Sequence, residues 1–239
     1  MRRRALNFGF LTIALSLPGS CAWASVDLIT SRAALAPNDA VKWSDLGLDF
    51  SSVQSPFRIS TAGGIQLTVS QPVGGFEIYH QNPPAPHPPS LNSGWAGSFA
   101  PGDSVLYTAD PGEGPIFIHF DSPVLGIGAQ VESGQYGPYT AHIEAFDALG
   151  LRLGNFNMNG VSDDRADNSA VFVGLRSDIA NIGSVRFSVD AADSQDLAIN
   201  QLAILSDPGS NIVPEPAPCA LLVLAFGVWI AVARRNLQR

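Results

Sequence analysis

The chain has 239 residues, 46% of them hydrophobic, with 13 Lys and Arg against 21 Asp and Glu. Three basic residues sit near each end and all but one of the acids lie between, so residues 25–213 hold 7 basic and 20 acidic side chains, a net charge of −13 against −8 for the whole. So negative a surface argues against nucleic acid and anionic lipid as partners, and is compatible with neutral glycans, cationic groups or divalent cations.

Arg2, Arg3 and Arg4 precede an apolar run from Leu6 to Leu17, then Pro18-Gly19 and Ala22-Trp23-Ala24. A basic region, an apolar region and an A-x-A site in that order predict a secretory signal over residues 1–24, cut between Ala24 and Ser25. Cys21 offers a lipoprotein alternative, although Pro18 stands where a lipobox wants a branched apolar residue. Neither cysteine, Cys21 or Cys219, lies between Ser25 and Val213. The exported stretch, taken as one domain over 25–212, must therefore be held by burial in an oxidising compartment.

Within it the pattern is that of strands. Ser31 to Leu35 is the one helical stretch, with Thr30 or Ser31 as N-cap and Pro37 as its stop. Ile65–Val69, Ala141–Ala145 and Val185–Val189 alternate apolar and polar, as half-buried strands do. Leu125–Val131 alternates too, with small residues on one face. Ile116–Phe120 and Val171–Val173 are apolar runs too short for helices. Asp121-Ser122-Pro123, Leu149-Gly150, Asn159-Gly160 and Asn181-Ile182-Gly183 read as turns. Residues Ile143 to Met158 form a predicted hairpin around Asp147–Gly150. Asn82 to Ser90 is proline-rich and cannot lie inside a sheet. The expected fold is all-β, an antiparallel β-sandwich of jelly-roll or lectin-like form, flanked by an N-terminal signal helix and a C-terminal transmembrane helix.

Candidate chemistry is sparse, and no catalytic residue is nominated. Asp163, Asp164 and Asp167 cluster in a polar loop, where carboxylates can hold calcium, but the spacing is not that of an EF-hand. A solvated acidic loop is the competing reading, and it applies equally to Asp190, Asp193 and Asp196. His80, His87, His119 and His142 are scattered and suggest no zinc site. Asp103 reads as a turn residue. Trp43, Trp95, Tyr107, Tyr136 and Tyr139 offer flat faces for sugar rings; Trp95, in Gly94-Trp95-Ala96-Gly97, is the candidate for an exposed ring that binds glycan. A glycan hydrolase or lyase with two carboxylates, and a calcium-stabilised adhesion module, stay open as alternatives to a non-catalytic surface or matrix protein.

The last 27 residues have three parts: Val213-Pro214-Glu215-Pro216, an uncharged run from Ala217 to Ala233, and Arg234-Arg235. Seventeen residues of helix span about 25 Å, the short end of what crosses a bilayer, and the basic end keeps its side cytoplasmic. On hydropathy alone this is a membrane anchor. Pro214, Glu215 and Pro216 ahead of the span, with Arg234 and Arg235 behind it, resemble the PEP-CTERM sorting signal. That resemblance implies an exosortase, a membrane transpeptidase acting near the triplet, as partner, and delivery of the protein to the cell exterior of an exopolysaccharide-making bacterium. It also makes exopolysaccharide a candidate ligand. Blocks such as GWAGSFAPGDSVLYT and AHIEAFDALGLRLG are similar to those of exported proteins carrying the same tail, which implies an exported β-sandwich and no particular activity.

Overall fold

The structure is a computed structural model that describes residues 25–81, 95–108, 114–191 and 195–207. The predicted signal peptide up to Ala24, the proline-rich stretch and the tail with Pro214, Glu215, Pro216, Arg234 and Arg235 lie outside the described residues. No helix among the described residues is long and apolar enough to cross a membrane.

The described residues form fifteen strands, a short α-helix and a 3-10 turn. In chain order the strands are β1 (Val26–Ile29), β2 (Asp39–Val41), β3 (Ser51–Val53), β4 (Phe57–Ser60), β5 (Gln66–Ser70), β6 (Phe76–His80), β7 (Ser104–Tyr107), β8 (Ile116–Val124), β9 (Gly126–Ser133), β10 (Gly137–Phe146), β11 (Arg152–Ser162), β12 (Val171–Ser177), β13 (Ile182–Asp190), β14 (Leu197–Ile199) and β15 (Leu202–Leu205). Helix α1 (Arg32–Leu35) begins where the side chain of Ser31 caps the amide of Ala34, and ends at Ala36, whose φ of 51° is left-handed.

Six strands make one antiparallel sheet in the order β11-β10-β13-β8-β5-β4. Its central strands turn every second side chain inward. Ala141, Ile143 and Ala145 of β10 and Val185, Phe187 and Val189 of β13 point inward and are buried, as a sheet with one wet face requires. The other sheet has nine strands, ordered β1-β12-β9-β14-β7-β6-β3, with β15 and β2 branching from β9. Ile127, Ala129 and Val131 of β9, with Leu175 and Ile199, meet the six-stranded sheet in a single core.

The branch positions everything that follows. Strands β14 and β15 lie end to end along β9: Leu197–Ile199 pair with Val131–Ser133, and Ala203–Leu205 pair with Gly126–Gly128. Between them Asn200 and Gln201 break the ladder, so that β14 turns to β7 and β15 to β2. Buried Trp43 holds the break by donating its indole N–H to the Asn200 carbonyl at 2.9 Å.

The predicted helix, hairpin and alternating strands are all present. Three predicted turns are not. Asp121-Ser122-Pro123 lies inside β8, where the register against β13 jumps from His119–Ser184 to Val124–Ile182. The proline, which cannot donate, is accommodated by that bulge. Asn159-Gly160 is mid-strand in β11: Gly160 pairs with Tyr139, and a Cβ there would stand 2.5 Å from the ring. The glycine gives the ring room and makes no turn. Ile182-Gly183 already belongs to β13.

Candidate functional site

Along β9 the residues facing away from the core are Gly126, Gly128, Gln130 and Glu132. They are not left to solvent, because two apolar clusters cover this outer face. One joins Leu35 of α1 to Phe172 and Ala203. The other joins Trp95, Phe99, Val105, Ala170 and Ala198. The second is closed by Trp95 and Phe99 of the segment 95–103, which crosses the face as a bridge.

Glu132 is what the bridge rests on. Its side chain is fully buried. The Ser98 amide donates to Oε2 at 2.7 Å and the Ser98 hydroxyl to Oε1 at 3.2 Å. The same hydroxyl also lies 3.2 Å from Asp163 Oδ1, and the Ala170 amide donates to the Ser98 carbonyl at 3.0 Å. Burial pushes the Glu132 pKa up, and the bonds from Ser98 oppose that shift. The Trp95 indole N–H lies near this carboxyl and favours its charged form, but its geometry falls short of a hydrogen bond. Gly97 makes the close approach feasible, since a Cβ there would stand 1.8 Å from Trp95 Nε1 and 2.8 Å from Glu132 Oε2.

Beside the bridge runs a row of rings. Phe50 meets Tyr79 edge-on at 5.2 Å, Tyr79 meets Tyr107 at 5.8 Å, Tyr107 meets Trp95 at 4.9 Å and Trp95 meets Phe99 at 6.3 Å. Such tilted and edge-to-face contacts are the favoured aromatic geometries. Strand alternation sets part of the row: in β6 and β7, Ile78 and Leu106 enter the core while Tyr79 and Tyr107 face out. Against the three middle rings of the row lies a pocket of about 260 Å³ lined by Tyr79, Trp95, Ala96, Tyr107, Gly134 and Tyr136. Tyr136 is its open wall, 63% exposed, with its hydroxyl 3.3 Å from the Ala96 carbonyl. Tyr79 donates to Glu77 at 2.5 Å and Tyr107 to Asp196 at 3.4 Å. Burial and the nearby carboxylates push the Tyr79 pKa up to about 12, and they raise Tyr107 and Tyr136 as well. All three phenols therefore stay protonated at neutral pH.

The sequence-derived candidates fall unevenly on this arrangement. Trp95 does line the pocket, but the expectation of an exposed ring is corrected: it is 9% exposed. The glycine at 97 lets the indole pack down onto the sheet. Trp43 is wholly buried, and Tyr139 is buried with its hydroxyl donating to the Val131 carbonyl at 2.7 Å. The proposed calcium cluster does not assemble. Asp163 accepts from Ser98 and from the Arg165 amide, Asp167 from the Ser169 amide, and Asp164 remains exposed. No group of three or more His, Cys, Asp or Glu that could hold a metal occurs among the described residues. Ser25 begins the described chain next to β1, with its carbonyl accepting from the Asp178 amide. Sequence reasoning missed Phe50, Tyr79 and Glu132. The signal for Glu132 was an acid facing the same way as Gly126 and Gly128, where small residues already implied close cover.

No family model matches the chain, and no curated protein matches it. Among solved structures, a DUF4465 family protein from Bacteroides caccae is similar at 13% identity and a TM-score of 0.39, over 70% of this chain and 99% of its own. CsCBM6-3 from Clostridium stercorarium, solved in complex with cellobiose, is similar at 12% identity and a TM-score of 0.24, over 72% of this chain and 95% of its own. Neither likeness is strong enough to carry a function across.

Proposed function

We propose that this protein is an exported, non-catalytic, lectin-like β-sandwich that an exosortase-type transpeptidase sorts to the cell exterior, where it holds exopolysaccharide in the tyrosine-lined pocket. The observation that carries the binding part is the pocket itself. Its volume of about 260 Å³ leaves room for a single sugar ring. Tyr136 offers a ring face to the C–H side of a pyranose. The phenols of Tyr79 and Tyr107 and the backbone at Ala96 and Gly134 supply polar edges.

Most carboxylates around the pocket are engaged, which favours binding over bond cleavage. Glu77 and Asp196 are tied to tyrosine hydroxyls, Asp163 to Ser98 and the Arg165 amide, and Glu132 lies buried beneath Ser98, while Asp164 near Tyr136 is exposed. A glycosidase needs two carboxyl groups facing one another across the bound sugar. The sorting part rests on Pro214-Glu215-Pro216, the apolar run and Arg234-Arg235.

Replacing Pro214, Glu215 and Pro216 by alanine tests the sorting. The apolar run and basic end are untouched, so insertion and orientation persist. In the native host the wild type is expected to lose its last roughly 20–25 residues, the helix length a bilayer takes. The triple variant is expected to stay in the inner membrane at full length. Equal mass and equal location of the two forms would leave a plain membrane anchor.

A further inference from the structure

On the other side of the 95–103 bridge the same sheet face holds a second cavity, of about 470 Å³. Its floor is the break at Asn200, and its walls come from α1, the end of the bridge and the loop before β12. Its lining differs from that of the aromatic pocket. The buried side chain of Asn200 donates to Gln130 Oε1 at 2.7 Å and to Asp103 Oδ2 at 3.1 Å, and its oxygen accepts from the Gln130 amide at 2.9 Å. Gln130 Nε2 donates in turn to Asn168 Oδ1 and to the Ala170 carbonyl, each at 3.0 Å. Both N–H groups of each of these two amides are thus used, and the lattice they form is rigid.

What the lattice presents is a set of groups with spare bonding capacity. Among the described residues Asp103 Oδ1 accepts no hydrogen bond and Asn168 Nδ2 donates none. Arg32 spends one N–H on the Gln201 carbonyl at 2.6 Å and keeps the rest. Arg32 and Asp103 feel one another's charge yet form no ion pair among the described residues. A guanidinium and a carboxylate thus flank one cavity, with amides between them. Their charges cancel, so the cavity asks for no net charge in its occupant. It asks for groups that donate to a carboxylate and accept from a guanidinium, repeated around a compact ring.

We infer that the cavity formed by Arg32, Asp103, Gln130, Asn168 and Asn200 is a second ligand site, which binds one neutral sugar ring through its hydroxyls. Each ring hydroxyl is both donor and acceptor, matching this mixed set, and the volume lies within the range of small-molecule sites. Phe172, 8% exposed, gives one apolar edge. A zwitterion would also satisfy the two charges, so glycine betaine is an arm of the test. The site does not depend on the aromatic pocket, from which the bridge separates it.

The test titrates the full-length chain in detergent micelles with a panel of methyl hexopyranosides, by calorimetry or by NMR shifts. Expected is a Kd on the order of 1 mM for at least one of them, as befits a ligand of about a dozen heavy atoms. Asp103→Asn keeps an acceptor for Asn200 and is expected to weaken that binding about tenfold with an unchanged melting curve. Ala100→Phe, which fills the rim, is expected to abolish it. Tyr136→Ala is expected to leave it unaltered. The inference is overturned if no glycoside binds at about 20 mM, roughly twentyfold above the expected Kd. It is also overturned if Tyr136→Ala abolishes binding while Asp103→Asn does not, because the ligand then sits in the aromatic pocket. Asp103-dependent binding of glycine betaine without any glycoside binding would overturn it too.

Discussion

On the outer face of the six-stranded sheet Arg58 pairs with Asp121, His142 with Asp190 at 3.0 Å and Arg186 with Glu144 at 2.6 Å, from side chains of which several are largely exposed. On the outer face of the nine-stranded sheet a carboxylate, Glu132, is wholly buried, and the strand that carries it is buried on both sides. The first face alternates along β10 and β13, and its charges pair with one another, Glu144 covered by Arg186 and the other pairs largely open to water. The second has small residues at Gly126 and Gly128, which let Leu35 of α1 and Phe172 settle on it, and Gly97 lets the 95–103 bridge do the same over Glu132. Covering a sheet face incompletely leaves hollows at the edges of the cover. Both pockets lie there, one on each side of the bridge. The difference teaches where to look in such a sandwich: at the face that breaks alternation.

The sharpest way to break this comparison is to place the same side chain on both faces. Gly128→Val would put a Cβ 2.5 Å from Phe172 Cζ and 2.9 Å from Gly174 Cα. It is expected to destabilise the fold by about 1–3 kcal/mol, the ordinary cost of overpacking. Ser188→Val, half-buried on the six-stranded face, is expected to stay within about 0.5 kcal/mol. Denaturant unfolding of the two variants measures the gap, and equal effects would mean that the nine-stranded face is not covered.

A second test uses the acid under the bridge. The Glu132 pKa is raised above its ordinary 4.5, so the folded state holds its proton more tightly than the unfolded state does. Below that value both states are protonated and the group contributes no slope. Above it the unfolded state ionises first, so stability falls with rising pH until the raised folded value is passed. Glu132→Gln removes this term. The stability of wild type minus variant is therefore expected to decline from pH 4.5 upward, as followed by melting curves across that window. A flat difference would place Glu132 in water.

The smallest effect belongs to the bare face. Arg58→Ala removes an ion pair whose side chains are 59% and 44% exposed, and is expected to cost less than about 1 kcal/mol and less still in high salt.

The same contrast decides what was legible in the sequence. Period-two alternation gave away β5, β10 and β13, and the Asp147–Gly150 turn gave away the long hairpin, because one-sided burial writes itself into every second residue. In Leu197 to Leu205 the polar pair Asn200-Gln201 stands between two apolar runs, but the bonds of Trp43 and Gln130 to Asn200, both distant in sequence, are what hold the break between two strands with different neighbours. Local punctuation also misled. Pro123 sits in a bulge and Gly160 under a tyrosine ring, and in each case a contact distant in sequence supplied the reason. Trp95 was legible as a pocket residue but not as a buried one. Its burial depends on Gly97 and on Glu132 from another strand.

The proposed glycan site is the tyrosine-lined pocket on the nine-stranded face. Full-length protein in detergent applied to a glycan array, beside Tyr136→Ala and Arg58→Ala, tests it most directly. The wild type and Arg58→Ala are expected to bind the same glycans equally. Tyr136→Ala is expected to bind them about tenfold more weakly, the loss of roughly 1.4 kcal/mol of ring contact. Binding that Tyr136→Ala leaves unchanged, or no glycan binding by the wild type, would contradict the claim.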